Sequence, residues 1–162
     1  MAQVTVRRWI DARVDTVWAR LIDVDTLADV GTGFDLVEVV SDGHLQAGDL
    51  VVLSRRHGAR LATFQVRVVA ALPPRHLSLS VASGRLRWMI RIDVEPLGDG
   101  SCDIAIRAQH DQGRAGIVPL APPSPAAVHR LDADLTELLE TIAHRAEATP
   151  PRSGSQRIAA GR

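Results

Sequence analysis

The sequence of 162 residues predicts an α+β fold, in which a curved, seven-stranded antiparallel sheet wraps around one long C-terminal helix and two short helices follow the first strand. Two observations predict it. Alternating apolar and polar residues mark a series of strands separated by turn-forming residues. A helical apolar stripe near the C-terminus supplies the one large apolar surface outside those strands. Because a meander of strands cannot cover its own apolar face, the sheet has to close around that helix.

The first strand and the two short helices are predicted at the N-terminus. Residues 3 to 10 alternate with a period of two, which indicates a strand. From Val14 to about Val30 the apolar period becomes helical, and the stretch from Asp23 to Thr26 divides this region into two short helices. We expect Asp25 to cap the second helix. Gly31-Thr32-Gly33 ends the helical region.

Six further strands follow, each ended by turn-forming residues. They are predicted at Asp35–Val40, Asp49–His57, Arg60–Ala70, His76–Ala82, Arg85–Glu95 and Ser101–His110. In the strand at Arg85–Glu95 one face is apolar and the other is almost wholly charged, which is typical of an antiparallel sheet with one solvated side. Only 3% of the residues are aromatic, so the inward side chains tend to leave space rather than fill it. We therefore expect an internal cavity.

A long helix is predicted from the N-cap Ser124 and the first helical residue Pro125 to about Ala148. Its apolar stripe consists of Val128, Leu131, Leu135, Leu138, Leu139 and Ile142. The polar residues expected away from that stripe are Arg130, Asp134, Glu137, Glu140 and His144. Residues 1–148 are therefore predicted as one ligand-binding domain. The Pro-, Ser-, Gly- and Arg-rich residues 149–162 are predicted as a flexible tail.

Composition excludes several classes of function. With 19 basic and 19 acidic residues the formal net charge is zero, whereas a general nucleic-acid binder needs a basic surplus. No apolar run reaches the ~20 residues of a membrane span. The single cysteine, Cys102, cannot form an internal disulfide, which fits a cytoplasmic location. The chain has no lysine and no tyrosine, which excludes Schiff-base catalysis and proton donation by these residues.

The six histidines show no metal-ligand spacing, and one cysteine makes a zinc site an unfavourable interpretation. We expect neither a metal nor a cofactor. Cys102 itself is predicted to be an inert buried thiol.

The segment Ile10-Asp11-Ala12-Arg13-Val14-Asp15-Thr16-Val17-Trp18-Ala19-Arg20-Leu21-Ile22-Asp23 resembles the START-related polyketide cyclase/dehydrase superfamily (SRPBCC). These are the helix-grip proteins, which include the birch-pollen-allergen type. The family pattern is an apolar residue, any residue, Ala and Pro, then Val-Trp and a Leu before Asp. This chain has Arg13 where the proline is usual, and Val30 where a tryptophan often closes the second helix. The element order extends the resemblance across about residues 3–148.

The resemblance implies that a hydrophobic small molecule, as ligand or substrate, is the partner of the chain. The first hypothesis is a polyketide cyclase, aromatase or dehydratase-like enzyme of secondary metabolism. The second is a non-catalytic carrier or sensor of a hydrophobic metabolite or lipid, and the third is a regulator that binds another protein. The sequence also leaves open whether the chain forms a homodimer.

Three polar residues are candidate catalytic groups, because a polar side chain on an apolar strand face needs a reason. His110 continues an inner apolar series and could act as a general acid or base, or lie at an exposed turn beside Asp111. Arg8 could stabilise an enolate, or place its stem on the sheet and its head in water. Asp35 could pair with either of them, or cap a turn.

The candidate ligand-binding residues are predicted on the inner face of the sheet and on the long helix. They are Phe64, Trp88, Ile90, His57, Val128 and Leu131. His57 and Arg55 share a strand face with Val51 and Leu53, but the opposite register would bury Leu50 and Val52 equally well. The sequence leaves the inner face of this strand undecided.

Overall fold

The structure is a computed structural model and describes residues 2–29, 34–39, 44–115 and 117–150. Its strands are β1 (Gln3–Ile10), β2 (Asp35–Val39), β3 (Leu50–His57), β4 (Arg60–Leu72), β5 (His76–Ser83), β6 (Leu86–Pro96), β7 (Cys102–His110), β8 (Arg114–Ala115) and β9 (Val118–Pro119). Its helices are α1 (Val14–Leu21), α2 (Val24–Ala28) and α3 (Pro125–Glu147). The predicted strand end at Val40, the turns at 30–33 and 41–43, and tail residues 151–162 lie outside the described residues.

One antiparallel sheet contains the strands β1 to β7 in the order β1-β7-β6-β5-β4-β3-β2. The strands from β2 to β7 follow one another as neighbours, and β1 then pairs with β7, from Gln3 opposite Gln109 to Ile10 opposite Cys102. The predicted α+β arrangement of an antiparallel sheet, short helices and a long C-terminal helix is confirmed. The small separate sheet of β8 and β9 is not predicted by the sequence, because two-residue strands are too short for a period to show.

Helix α3 packs against one face of the sheet, which we call the inner face, and the opposite face is the outer face. The apolar residues that alternate along β6 and β7 are buried on the inner face, and they are Trp88, Ile90, Ile92, Val94, Cys102, Ile104, Ile106 and Ala108. From α3 they meet Leu135, Leu138, Leu139 and Ile142, which are also buried. Each leucine, isoleucine or valine side chain in this set contributes about 1.5–3 kcal/mol when it is fully buried. The inner face and the helix stripe therefore form one core.

The N-terminal cap of α3 is the one predicted. The side chain of Ser124 accepts a hydrogen bond of 3.1 Å from the Ala127 N–H, and Pro125 follows as the first helical residue. The cap of α2 differs from the prediction, because Asp23 rather than Asp25 accepts the capping bond. An N-cap has to precede the first helical residue, Val24, and Asp25 already lies inside the first turn.

Two polar residues predicted away from the apolar stripe of α3 reach the sheet instead. The carboxylate of Glu140 pairs with the guanidinium of Arg8 on β1, and that of Asp134 pairs with Arg55 on β3. Both lie at the border of the stripe, from where a long arginine can reach across the gap between sheet and helix. The described helices include none that is both long enough and apolar enough to cross a membrane.

Candidate ligand-binding cavity

A cavity of about 290 Å³ lies between the inner face of the sheet and the N-terminal half of α3. Its sheet side is formed by alternate residues of β3 to β6, which the period of two directs to one face. These residues are Leu53, Ala62, Phe64, Val66, Leu79, Val81, Ser83, Leu86, Trp88, Ile90 and Ile92. The cavity is close to the lower end of the ~300–1,000 Å³ range typical of ligand sites.

The helix side of the cavity consists of residues three or four positions apart along α3. They are Ala127, Leu131, Leu135 and Leu138 on the apolar stripe, with Arg130 and Asp134 beside it. Leu27 of α2 and Phe34 complete the lining, and Phe34 packs edge-on against Phe64 with ring centroids 5.4 Å apart. Among the described residues the lining is therefore apolar except for Ser83, Arg130 and Asp134.

An ion pair between Asp134, which lines this cavity, and the buried Arg55 borders its polar side. Arg55 is 4% exposed, and its two terminal nitrogens donate to the two carboxylate oxygens of Asp134 at 3.0 and 3.2 Å. The guanidinium also lies 4.0 Å from the centroid of the Phe34 ring, which is a cation–π geometry. Such a bidentate pair fixes the orientation of both groups. Arg130 lies one helical turn before Asp134 and is exposed. It is therefore Arg130, and not Arg55, that presents a guanidinium to solvent at this cavity.

The structure places none of the three candidate catalytic residues in the lining of the cavity. Arg8 does point to the helix side of the sheet, but its guanidinium is engaged by Glu140. Asp35 is exposed at the first residue of β2, opposite Ser54. Their positions follow from the sheet order, because β1 and β2 are its two edges, whereas the cavity lies mainly over β4 to β6.

His110 is buried, so the interpretation as an exposed turn residue is wrong. Its Nε2 donates to the Ala121 carbonyl at 2.8 Å, because a carbonyl oxygen can only accept. The ring also packs edge-on against Trp88, with centroids 5.7 Å apart. His110 thus holds the connection before α3 against β7 and lies beside a residue of the cavity lining.

Four of the six candidate ligand-binding residues line the cavity, namely Phe64, Trp88, Ile90 and Leu131. Val128 does not, since it is turned away from its lining neighbours Ala127 and Leu131 and packs at the edge of the core. The side chain of His57 lies outside the described residues. The inner face of β3 is the one that carries Val51, Leu53 and Arg55, because all three are buried.

Arg55 and Asp134 are the site residues that the sequence reasoning did not select. Arg55 shares a face of β3 with Val51 and Leu53. This alternation indicates that Arg55 is buried only if that face is the inner one, which the sequence left undecided. Asp134 gave a weaker signal, because it lies one residue before Leu135 and therefore at the border of the apolar stripe. An arginine and an aspartate that both border a core face are candidates for a buried pair.

Cys102 lies deep in the core, away from this cavity. Burial raises the pKa of its thiol to about 11, and the neighbouring Asp103 carboxylate adds to the rise. A thiol that stays protonated is a poor nucleophile and a poor metal ligand. Within the described ranges no group of three or more His, Cys, Asp or Glu side chains is arranged to hold a metal ion.

A long helix held against an antiparallel sheet, with an apolar cavity between them, defines a helix-grip protein. Residues 1–147 match the family described as polyketide cyclase / dehydrase and lipid transport, and the chain belongs to this family. The resemblance of the segment from Ile10 to Asp23 to the SRPBCC superfamily is thereby confirmed. Among curated proteins, none matches the sequence.

Solved structures share the fold at low sequence identity. Protein CV1439 from Chromobacterium violaceum is 16% identical, with 91% of this chain and 99% of that chain covered and a TM-score of 0.68. Ara h 8.0201 is 10% identical, with 91% and 98% covered and a TM-score of 0.67. DynU16, from the dynemicin biosynthetic locus, is 14% identical, with 91% and 48% covered and a TM-score of 0.63. At such identities the likeness shows the fold alone.

Proposed function

We propose that this protein binds a hydrophobic small molecule in the cavity between α3 and strands β3 to β6. The observation that carries the proposal is a cavity of about 290 Å³ whose described lining residues are apolar except for three side chains. An apolar protein cavity of ~150 Å³ holds one benzene molecule. A cavity about twice that size suits a bicyclic or short-chain apolar compound.

The Arg55–Asp134 pair defines the chemistry of the polar end of such a ligand. Its charges compensate each other, so the site does not call for a fully charged ligand. Near Asp134 a ligand hydroxyl would donate to the carboxylate, and a ligand carbonyl would accept from the exposed guanidinium of Arg130. We infer an apolar molecule with a small number of oxygen substituents, a class that includes polyketide-like compounds.

On the enzyme hypothesis the protein acts as a polyketide cyclase or dehydratase. The cavity would hold a reactive chain in a folded shape, and an arginine would stabilise the enolate that forms. The support is membership of a family that includes polyketide cyclases and dehydrases, together with Arg130 in the lining of an apolar cavity.

The carrier hypothesis is favoured by one specific observation. The two groups expected to do acid–base or enolate chemistry are both engaged in structural bonds, Arg8 with Glu140 and His110 with the Ala121 carbonyl. A protein that only binds a metabolite needs the cavity and not these groups.

A cavity-filling variant tests binding. Leu131→Trp places an indole in the cavity, whereas Ala133→Trp adds the same group to the exposed side of α3. We expect an environment-sensitive dye to saturate one site in wild type and in Ala133→Trp, and to bind at least ~10-fold more weakly to Leu131→Trp. Equal dye binding by all three proteins would refute the cavity as the site.

Native mass spectrometry of the purified protein separates the enzyme from the carrier. A compound that copurifies with wild type and not with Leu131→Trp names the chemical class of the ligand. Incubation of wild type with that compound, or with its open-chain precursor, then reports catalysis as loss of one water or as an isomer with a new retention time. An unchanged compound after prolonged incubation favours the carrier.

A further inference from the structure

A hydrogen-bonded chain of Ser78, His76 and Asp93 lies on the outer face of the sheet. His76 Nδ1 is 2.7 Å from the Asp93 Oδ1, and His76 Nε2 is 2.8 Å from the Ser78 Oγ. The inner face of the same strands carries Leu77 and Ile92, both fully buried. Because neighbouring residues of a strand point to opposite faces, this chain is on the side away from the cavity.

The strand register holds the three groups together. His76 on β5 stands directly opposite Asp93 on β6, and Ser78 follows His76 by two positions on the same face. Cross-strand partners have Cβ atoms ~4.5–5.5 Å apart, which suits a carboxylate–imidazole hydrogen bond. The array is thus set by regular strands within the sheet and not by a loop.

The hydrogen bonds determine which ring nitrogen of His76 carries the proton in its neutral form. The Asp93 carboxylate can only accept, so the Nδ1–H of His76 donates to it. Nε2 then carries the lone pair and accepts the hydroxyl proton of Ser78. Arg107 Nη1 lies 3.5 Å from the second oxygen of Asp93, which orients that carboxylate. Nucleophile, base and orienting carboxylate are the roles by which a Ser-His-Asp triad is recognised on unrelated folds.

A cationic side chain, that of Arg91, lies next to Ser78 on the outer face of the sheet. Arg91 is exposed and is the cross-strand partner of Ser78, on the same face. Apart from the backbone bonds of Arg91 in the sheet, the described part of the chain holds no hydrogen bond or ion pair to its guanidinium. Its guanidinium can therefore stabilise the oxyanion that forms on the ester carbonyl oxygen when the Ser78 Oγ attacks the carbonyl carbon. Ser78 itself is buried, at 9% exposed, and the array opens to solvent at the His76 side chain, which is 28% exposed.

We propose that Ser78 is an acyl-accepting nucleophile for small activated carboxylic esters, at a site separate from the cavity. The Ser78 Oγ forms a bond to the ester carbonyl carbon while His76 Nε2 takes its proton. The C–O bond to the leaving alcohol then breaks, and His76 returns the proton to that alcohol. Water repeats the two steps on the acyl-serine and releases the carboxylic acid.

A fluorophosphonate and p-nitrophenyl acetate test the site in the full-length protein. The fluorophosphonate is expected to form a covalent adduct that peptide mass mapping places on Ser78, and wild type to hydrolyse the ester. His76→Gln and Asp93→Asn remove the base and its orienting group, and each should lower the labelling rate by about 10²-fold or more. Ser80→Ala is the matched control, because Ser80 lies two residues farther along the same face.

Three results would overturn the proposal. One is an adduct on any other residue, or none on the folded protein. Another is ester hydrolysis by Ser78→Ala at the wild-type rate, which would assign the reaction to exposed histidines. The third is a Ser80→Ala protein as slow as Ser78→Ala. Mapping on wild type needs no variant, so the test stands even where a substitution lowers stability, which thermal melting checks.

Discussion

Replacing Asp134 by leucine would leave the Arg55 guanidinium inside the protein without its counter-charge. The Arg55 side chain is 5% exposed and the Asp134 side chain 24%, so water cannot replace the lost carboxylate fully. Breaking a buried pair by removing one partner costs about 3–5 kcal/mol. Because Asp134 is partly exposed, we expect the lower end, about 3 kcal/mol, which is a large part of the ~5–15 kcal/mol that holds a small domain folded.

Two further variants test whether this loss of stability comes from the unpaired charge of Arg55. Arg55→Met with Asp134→Leu replaces the pair by apolar groups, and such a replacement is often neutral or stabilising by ~1–4 kcal/mol. The double variant should therefore be more stable than Asp134→Leu alone. The Arg8–Glu140 pair is the control, because it also joins a strand to α3 but is 34% and 57% exposed. Glu140→Leu should cost less than ~1 kcal/mol.

Urea denaturation followed by tryptophan fluorescence gives the four free energies of unfolding, by linear extrapolation with a common slope. The same proteins are then titrated with the environment-sensitive dye. An Asp134→Leu protein within ~1 kcal/mol of wild type would show that Arg55 is not held as a buried, paired cation. A double variant as unstable as the single one would show that the loss comes from packing rather than from charge.

Two further predictions concern the core. Leu135→Asp puts an unpaired charge at a buried position of α3 and should cost several kcal/mol in urea denaturation, whereas Glu137→Asp on the exposed side should melt within a few degrees of wild type. Burial raises the pKa of Cys102 from an ordinary 9.0 to about 11, so the unfolded chain loses this proton first and stability should fall as pH rises from about 9 to about 11, by roughly 3 kcal/mol. With no lysine or tyrosine in the chain no other side chain titrates in that window, and a Cys102→Ala protein that loses as much stability there would contradict the assignment.

The fold was predictable because its signals are local. Period-two alternation and the glycine- and proline-rich turns identify the strands within one or two residues at each end, and the pair Ser124-Pro125 identifies the start of α3. The two-residue strands β8 and β9 have no period to read. Predicting the N-cap of α2 required knowledge of the first helical residue, because the two candidate aspartates, Asp23 and Asp25, lie only two positions apart.

The site was predictable only in part, because a cavity depends on which strand faces are brought together. Trp88 was identifiable from parity within a strand whose apolar face was evident, whereas Phe64 was predicted as a large aromatic residue of the cavity or core without an assigned strand face. Predicting Arg55 as a buried residue required knowledge of the inner face of β3. The sequence left that face undecided, because both faces of the strand carry apolar residues. Arg8 was correctly assigned to the helix side, but its distance from the cavity follows from the pairing of β1 with β7, which places β7 between Arg8 and β6, the nearest strand with lining residues.

The cavity lining also limits the chemistry that the protein can perform there. Among the described lining residues the only charged side chains are Asp134 and Arg130, and Asp134 is already paired with Arg55. A pocket with one paired carboxylate offers little general acid–base catalysis, but it can fix the shape of a chain and stabilise one developing oxyanion. This composition suits substrates that are reactive in themselves and need direction, such as a chain with several carbonyl groups. The enzyme and carrier hypotheses therefore differ less in the structure they require than in the reactivity of the molecule that is bound.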